Sequence, residues 1–219
     1  MLCDDIAYVM QYAYICLPDD PVLMASKSST QRSSRTQAQR RAATYQQVLE
    51  SACRLFGEQG YANTSLDDIA NDCGLTTRPI YHYFGNKKAL FAAANEAMEQ
   101  RIIDAVYSGD TSGGLLNNWQ TFLELCDDPH FRQIVLVDSP NVLGRERWAT
   151  SAVTQHALRL FKQSERSMNG NYRRQLLSRM VMAAFGEAAL VIAEAEDVAL
   201  AKQQADAIVQ TLFGSLDLH

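Results

Sequence analysis

The sequence predicts an all-α fold, with an N-terminal three-helix unit built on a helix-turn-helix and a C-terminal helical bundle. Alanine, leucine and glutamine are plentiful, there are 5 prolines in 219 residues, and no stretch sustains the alternation of β-branched residues that a strand requires. Apolar residues recur instead at helical spacing, between capping signals. With 47% hydrophobic residues, the chain can bury a large core in one extended or two small domains.

Residues 1–23 hold four acids and no base. Their apolar stretch, IAYVMQYAYICL, follows Asp4 and Asp5 and precedes Pro18, Asp19, Asp20 and Pro21, so it lacks the basic flank of a secretion signal. Three readings stand: translation starting at Met24, a poorly ordered appendage, or a short extra helix packed on the body. The Ser/Thr/Gln/Arg stretch that follows, residues 25–39, has the composition of a disordered basic arm, suited to tracking a minor groove or to being a solvated tail. The expected division is an extension and arm over 1–40, a helix-turn-helix domain over 41–101 and a second helical domain over 102–219.

A first helix is expected over 41–59, with Val48, Ala52, Leu55 and Phe56 on one face. Ser65 and Asp68 then form a capping box, and Leu66, Ile69, Ala70 and Cys73 follow at the spacing of one buried stripe. Gly74 breaks that helix, and Leu75 folds back as an apolar anchor. Thr76 suits the N-cap of the next helix, where Pro79 falls in the first turn and Ile80 and Phe84 face inward. Thr77, Arg78, Tyr81, His82 and Tyr83 are left on the outer face. Hydroxyls, a guanidinium and aromatic edges are groups that read base edges and grip phosphates. On spacing alone, an ordinary helical hairpin with a polar surface fits equally well.

Two further features favour the nucleic-acid reading. Asn86 caps a helix, expected over 87–107, whose first residues are Lys87 and Lys88. Cations there oppose the macrodipole by ~0.3–1 kcal/mol each, a local violation expected where a phosphate is to be bound. The net charge of -5 also divides unevenly: residues 24–90 carry nine bases against five acids, and 91–219 eleven against sixteen. Lys27, Arg32, Arg35, Arg40 and Arg41 form a basic run without an acid. The charge of the domain, not of the whole chain, is the relevant footprint.

Beyond SGDTSGG, helical segments are expected over 115–126, 130–137, 145–167, 172–194 and 198–213. They are punctuated by Asp127-Asp128-Pro129, Ser139-Pro140-Asn141 and Asn169-Gly170-Asn171. Small residues on the last two (Ala184 and Ala188; Ala201 and Ala205, with Ile208 and Leu212) allow close helix approach, within one chain or between two. Trp119, Phe122, Trp148, His156, Met180 and Phe185 are candidates to line an apolar effector pocket; each taken singly also reads as plain core.

The run from Thr44 to Ala94 resembles the N-terminal domain of the TetR family of transcriptional regulators. Phe56, Gly60, Tyr61, Thr64 and Ser65 match the end of its first helix. Ile69, Ala70, Gly74 and Leu75 match its turn, and Ile80, Tyr81, Tyr83, Phe84, Lys87 and Leu90 its closing motif. The segment VDSPNVLGRERW resembles a pattern in some TetR-type C-terminal domains, with Arg145 where those relatives often carry an aromatic. The resemblance implies a double-stranded DNA operator as partner, contacted through Arg41, Thr64, Ser65, Thr76, Thr77, Arg78, Tyr81, His82, Tyr83 and Lys87. It also implies a homodimer through the last two helices on a palindromic site, and relief of repression by a small apolar effector.

No enzyme is expected: the chain has no GxSxG elbow, phosphate-cradling glycine loop or zinc helix. Its 5 cysteines, Cys3, Cys16, Cys53, Cys73 and Cys126, form no CxxC pair and read as reduced, mostly buried thiols of a cytoplasmic protein, without metal or cofactor. No apolar run reaches the ~18 residues of a membrane span. A helical regulator acting through protein partners alone remains the alternative function.

Overall fold

The computed structural model describes residues 36–108, 114–144, 152–155 and 171–215. All regular structure among them is helical. Helix α1 (Gln37–Asn63) starts four residues before the expected Arg41 because Thr36 and Gln39 close a capping box: Gln39 N–H donates to Thr36 Oγ1 at 3.3 Å and Thr36 N–H to Gln39 Oε1 at 2.8 Å. The end of the basic arm is therefore helix; residues 1–35 lie outside the described residues. Helices α2 (Leu66–Asp72), α3 (Thr77–Phe84) and α4 (Lys87–Ser108) follow as expected.

The second half holds α5 (Gly114–Leu125), α6 (Pro129–Phe131), a π-helical segment (Arg132–Asp138), α7 (Ser139–Val142), α8 (Asn171–Glu194) and α9 (Val198–Ser215). The expected break at Ser139-Pro140-Asn141 does not occur. Pro140 lacks an N–H and its ring would clash with the carbonyl four residues back, but the wide π turns, closed by Ser139 N–H to Ile134 O, carry the chain through it. The helix expected over 145–167 lies outside the described residues except for 152–155, which are helical.

The core is continuous across the expected division at 101/102, which falls inside α4. From α1, Val48, Leu49, Ala52, Cys53, Leu55 and Phe56 are buried, from α4 Leu90, Phe91, Ala94, Met98 and Ile102, and from the π segment Ile134, Val135 and Leu136. Phe56, Tyr61 and Phe91 meet at ring separations of 5.0–5.9 Å. In the middle of α4, Asn95 and Glu99 are buried among these apolar groups. Asn95 Nδ2 donates to Glu99 Oε1 at 2.7 Å, and Asn95 Oδ1 has no partner among the described residues. No described helix is long and apolar enough to cross a membrane. Cys53, Cys73 and Cys126 are buried free thiols, and burial pushes the Cys126 thiol up to about 12.

The two halves meet closely where α1 crosses α6. A Cβ added to Gly57 would lie 2.5 Å from His130 Cβ and 3.0 Å from its Cα, so only glycine allows this approach. Asp128 secures the same corner. It caps α6 by accepting His130 N–H at 2.9 Å, and it pairs with Arg101 of α4 at 2.6 Å. Burial pushes its carboxyl up, but the hydrogen bond and charge of Arg101, together with the N–H groups of His130 and Phe131, outweigh burial and hold it below the ordinary range.

Two outcomes follow from this corner. Gly57→Ala must part α1 from α6 and should cost about 1–3 kcal/mol, lowering Tm by roughly 2–4 °C per kcal/mol in thermal unfolding. Asp128 has a depressed folded pKa, so its charge stabilises the fold above the unfolded value of ~3.9 and ceases to do so as pH falls through the folded value. Asp128→Asn keeps the cap and removes the charge. Its Tm deficit against the parent should be steady near neutral pH and shrink below about pH 4; a deficit independent of pH would deny the ion pair its role.

Candidate nucleic-acid interface

α2 and α3 are fastened to α1 from beneath. Ser65 caps α2 by accepting Asp68 N–H at 3.0 Å, while Asp68 Oδ2 accepts Ser65 N–H at 2.8 Å and Ser65 Oγ–H at 2.6 Å. These bonds, the hydroxyl first, hold the Asp68 carboxyl low. At the other end of α2, Leu75 N–H reaches Ala70 O at 2.8 Å and Gly74 N–H reaches Asn71 O at 3.0 Å, the paired bonds of a Schellman closure with Gly74 at φ +64°. Gln47 donates to Cys73 O at 2.8 Å, and Ser51 and Arg54 both hold Asp72, so α1 grips this turn. Ser51 and then Arg54 pull the Asp72 carboxyl below its ordinary range.

Against that base α3 buries only Ile80, while Phe84 stacks on Tyr45 at 4.7 Å and Tyr83 meets the Tyr45 edge at 5.9 Å. Arg78 and His82 are exposed, Tyr81 is 56% exposed, and Thr77 and Tyr83 are half-buried. Thr76 occupies the N-cap position with extended backbone but makes no capping hydrogen bond, which leaves its hydroxyl unused by the helix. Arg41 is exposed near the start of α1. Asn86 caps α4 through Ala89 N–H at 2.8 Å, and Lys87 Nζ lies 4.2 Å above the centroid of the Tyr61 ring. Lys87, Asn86, Tyr81 and the first turn of α2, Asp67 included, line one open depression.

Thr64 is the exception among the expected contacts. It is 1% exposed, and its hydroxyl is engaged with Gly60 O at 2.9 Å and Leu55 O at 3.2 Å. The reason lies at Gly60, whose φ of +77° kinks α1 and folds the following residues back onto it. A threonine at the end of the kinked stretch closes the turn from inside.

Of the expected effector residues, Trp119, Phe122, Met180 and Phe185 are among the described residues, and Trp119, Phe122 and Phe185 pack on one another. Trp119 is buried, stacked on Phe185 at 4.9 Å and on Phe122 at 5.6 Å, and donates its indole N–H to Asp206 at 3.2 Å. That is close-packed core joining α5, α8 and α9. Met180 is 66% exposed, and Trp148 and His156 lie outside the described residues. A cavity of about 160 Å³ opens between the π segment, α7 and α8. Its lining includes Val135, Leu136, Ser139, Pro140, Met182, Gly186 and Leu190. Ala183 and Ala189 line it beside Gly186, since small residues permit a void as readily as a close helix approach.

The small residues of the last two helices pack partly within the chain, while Ile208 and Leu212 are exposed. Ala205 is buried and Ala201 and Ala188 are half-buried against the core of the same chain, since α8 and α9 pack on one another; Ala184 is half-buried. Exposed apolar side chains lie on the opposite faces. Tyr172, Leu176, Met180 and Val191 run along α8, and Leu200, Ile208 and Leu212 along α9.

Comparison with known proteins agrees with this arrangement. Residues 48–94 match the profile of bacterial regulatory proteins of the tetR family, and residues 113–216 that of the tetracyclin repressor-like C-terminal domain. The transposon Tn10 TetC protein of Escherichia coli is 31% identical over 100 residues, 46% of this chain and 48% of TetC. The HTH-type regulator AcrR of Shigella flexneri is 42% identical over 59 residues, 27% of each chain. The alignments thus span about half the length of TetC and about a quarter of AcrR. A crystal structure of a TetR-family transcriptional regulator from Pectobacterium atrosepticum superposes with a TM-score of 0.67 at 30% identity, covering 83% of this chain and 97% of that one. On these grounds the chain belongs to the TetR family of bacterial transcriptional regulators.

Proposed function

We propose that the chain is a sequence-specific DNA-binding regulator, acting as a homodimer on a palindromic operator and repressing until a small apolar molecule releases it. The observation that supports the DNA reading best is α3 itself. It buries one side chain and holds out Arg78, Tyr81 and His82, beside a lysine seated on an aromatic face. In this reading α3 enters the major groove, Arg78, Thr77 and His82 meet base edges, and Tyr81, Lys87 and the Thr76 hydroxyl meet phosphates. Ser65 and Arg41 flank the same side; Thr64 holds the turn and makes no DNA contact.

The exposed apolar stripes on α8 and α9 support self-association, because a C2 pairing of these faces removes them from water and sets two reading heads about one helical turn apart, ~34–36 Å. The effector is assigned to the cavity beside the π segment. An apolar cavity of ~150 Å³ admits a guest the size of one benzene ring. Ser139 and Glu187 offer it polar contacts.

Gel-shift titration with a fragment that the protein selects from random DNA tests the reading. Binding should fall steeply with salt. Lys87→Ala should weaken every sequence and reduce the salt slope by ~1, whereas Arg78→Ala should relax preference at one base pair at a cost of ~1–3 kcal/mol. Equal effects of both changes on selected and random DNA would remove the assignment of roles. For the dimer, Ile208→Glu places a charge in a stripe where the parent side chain is 61% exposed, so the fold should persist while light scattering reports a monomer. A variant that stays dimeric and binds DNA as before would place the interface elsewhere.

A further inference from the structure

We infer that Asp138, in the second half of the chain, is a positioning residue for the DNA contact of Lys87, acting through Tyr61; this rests on the reading of Lys87 as a phosphate contact. Tyr61 is held at two points. Its N–H donates to Asp138 Oδ2 at 2.7 Å, and its ring carries the Lys87 ammonium 4.2 Å from the centroid. The first hold exists because the kink at Gly60 takes Tyr61 N–H out of the helical ladder and turns it toward the π segment. The carboxylate stands close against that kink: a Cβ on Gly60 would lie 3.2 Å from Gln133 Nε2 and 3.5 Å from Asp138 Oδ2. Gln133 Nε2 donates to the same oxygen at 3.0 Å and fixes its direction.

The second hold follows from packing. The Tyr61 ring is wedged between Phe56 and Phe91 at 5.9 and 5.0 Å, so it moves with its own backbone and sets the height of the ammonium. An ammonium has three donors, so even with one N–H turned toward the ring it keeps two to donate outward to a phosphate. Asp138 is flanked along the chain by Leu136 and by Ser139 and Pro140, all of which line the cavity. The oxygen that fixes Tyr61 therefore belongs to the segment that a cavity guest touches.

The test uses the full chain and a DNA fragment that the unmodified protein selects from a random pool. Asp138→Ala should weaken binding about tenfold and reduce the salt slope by about one, as Lys87→Ala does. In the Lys87→Ala background it should have no further effect. Asp138→Asn, which keeps an acceptor oxygen, should restore both affinity and slope. Tyr61→Leu keeps the N–H bond and removes the cation's seat, so it should also reduce the slope, and it stands in if Asp138→Ala fails to fold. An unchanged slope in these variants, or equal losses from Asp138→Ala with and without Lys87, would overturn the inference in favour of a purely structural carboxylate. If the unmodified protein selects no DNA, the regulator reading itself falls and takes the inference with it.

Discussion

The structure depends on the burial of α1 on two sides at once. One side of the helix, through Val48, Ala52 and Phe56, covers α2, α3 and α4; another, at Gly57, is pressed against His130 at a separation that excludes any side chain. Because α3 buries Ile80 and little else, it has almost no stability of its own and takes its orientation from Tyr45 and from the bonds by which Gln47, Ser51 and Arg54 grip the preceding turn. A short helix with one buried residue can present a nearly complete polar face only when a longer helix carries it. The reading head and the body thus share a beam, and the position of the head is set by packing and not by a flexible linker.

Much of this was legible in the residues. Helical periodicity, the Ser65/Asp68 box, the Gly74 stop and the Asn86 cap depend on groups within a few positions of one another, and local rules recover them. The outward face of α3 followed from the same spacing. What was not legible depends on partners far along the chain. Thr64 looked like an exposed contact because its neighbour Ser65 is one; it is buried because of a kink at Gly60 that sequence spacing does not reveal. A separation of 77 positions between Tyr61 and Asp138 hides a hydrogen bond that no motif announces. On α8 and α9, alanines signalled close approach correctly, but periodicity alone does not say whether the approaching helix belongs to the same chain.

The aromatic residues carry a related lesson. Trp119, Phe122 and Phe185 were natural candidates to surround a ligand, yet their flat faces are already satisfied by one another and the indole N–H by Asp206. Large side chains fill space before they enclose it. One open volume among the described residues lies where the backbone departs from α-helical winding, along Arg132–Asp138, and where glycine and alanine leave the facing helix thin. A proline that forces wide turns and a small-residue surface across from it together make a void that neither makes alone.

The Asn95–Glu99 pair gives α4 a history as well as a structure. A buried carbonyl oxygen without a partner among the described residues costs ~1–3 kcal/mol, yet the same amide donates to the buried Glu99 carboxylate, so an apolar residue in place of Asn95 alone would take a donor from a buried acid. Only a change of both side chains together would relieve the cost. The pair therefore resists replacement in single steps, and the helix that spans both halves keeps a polar centre at the expense of its own stability.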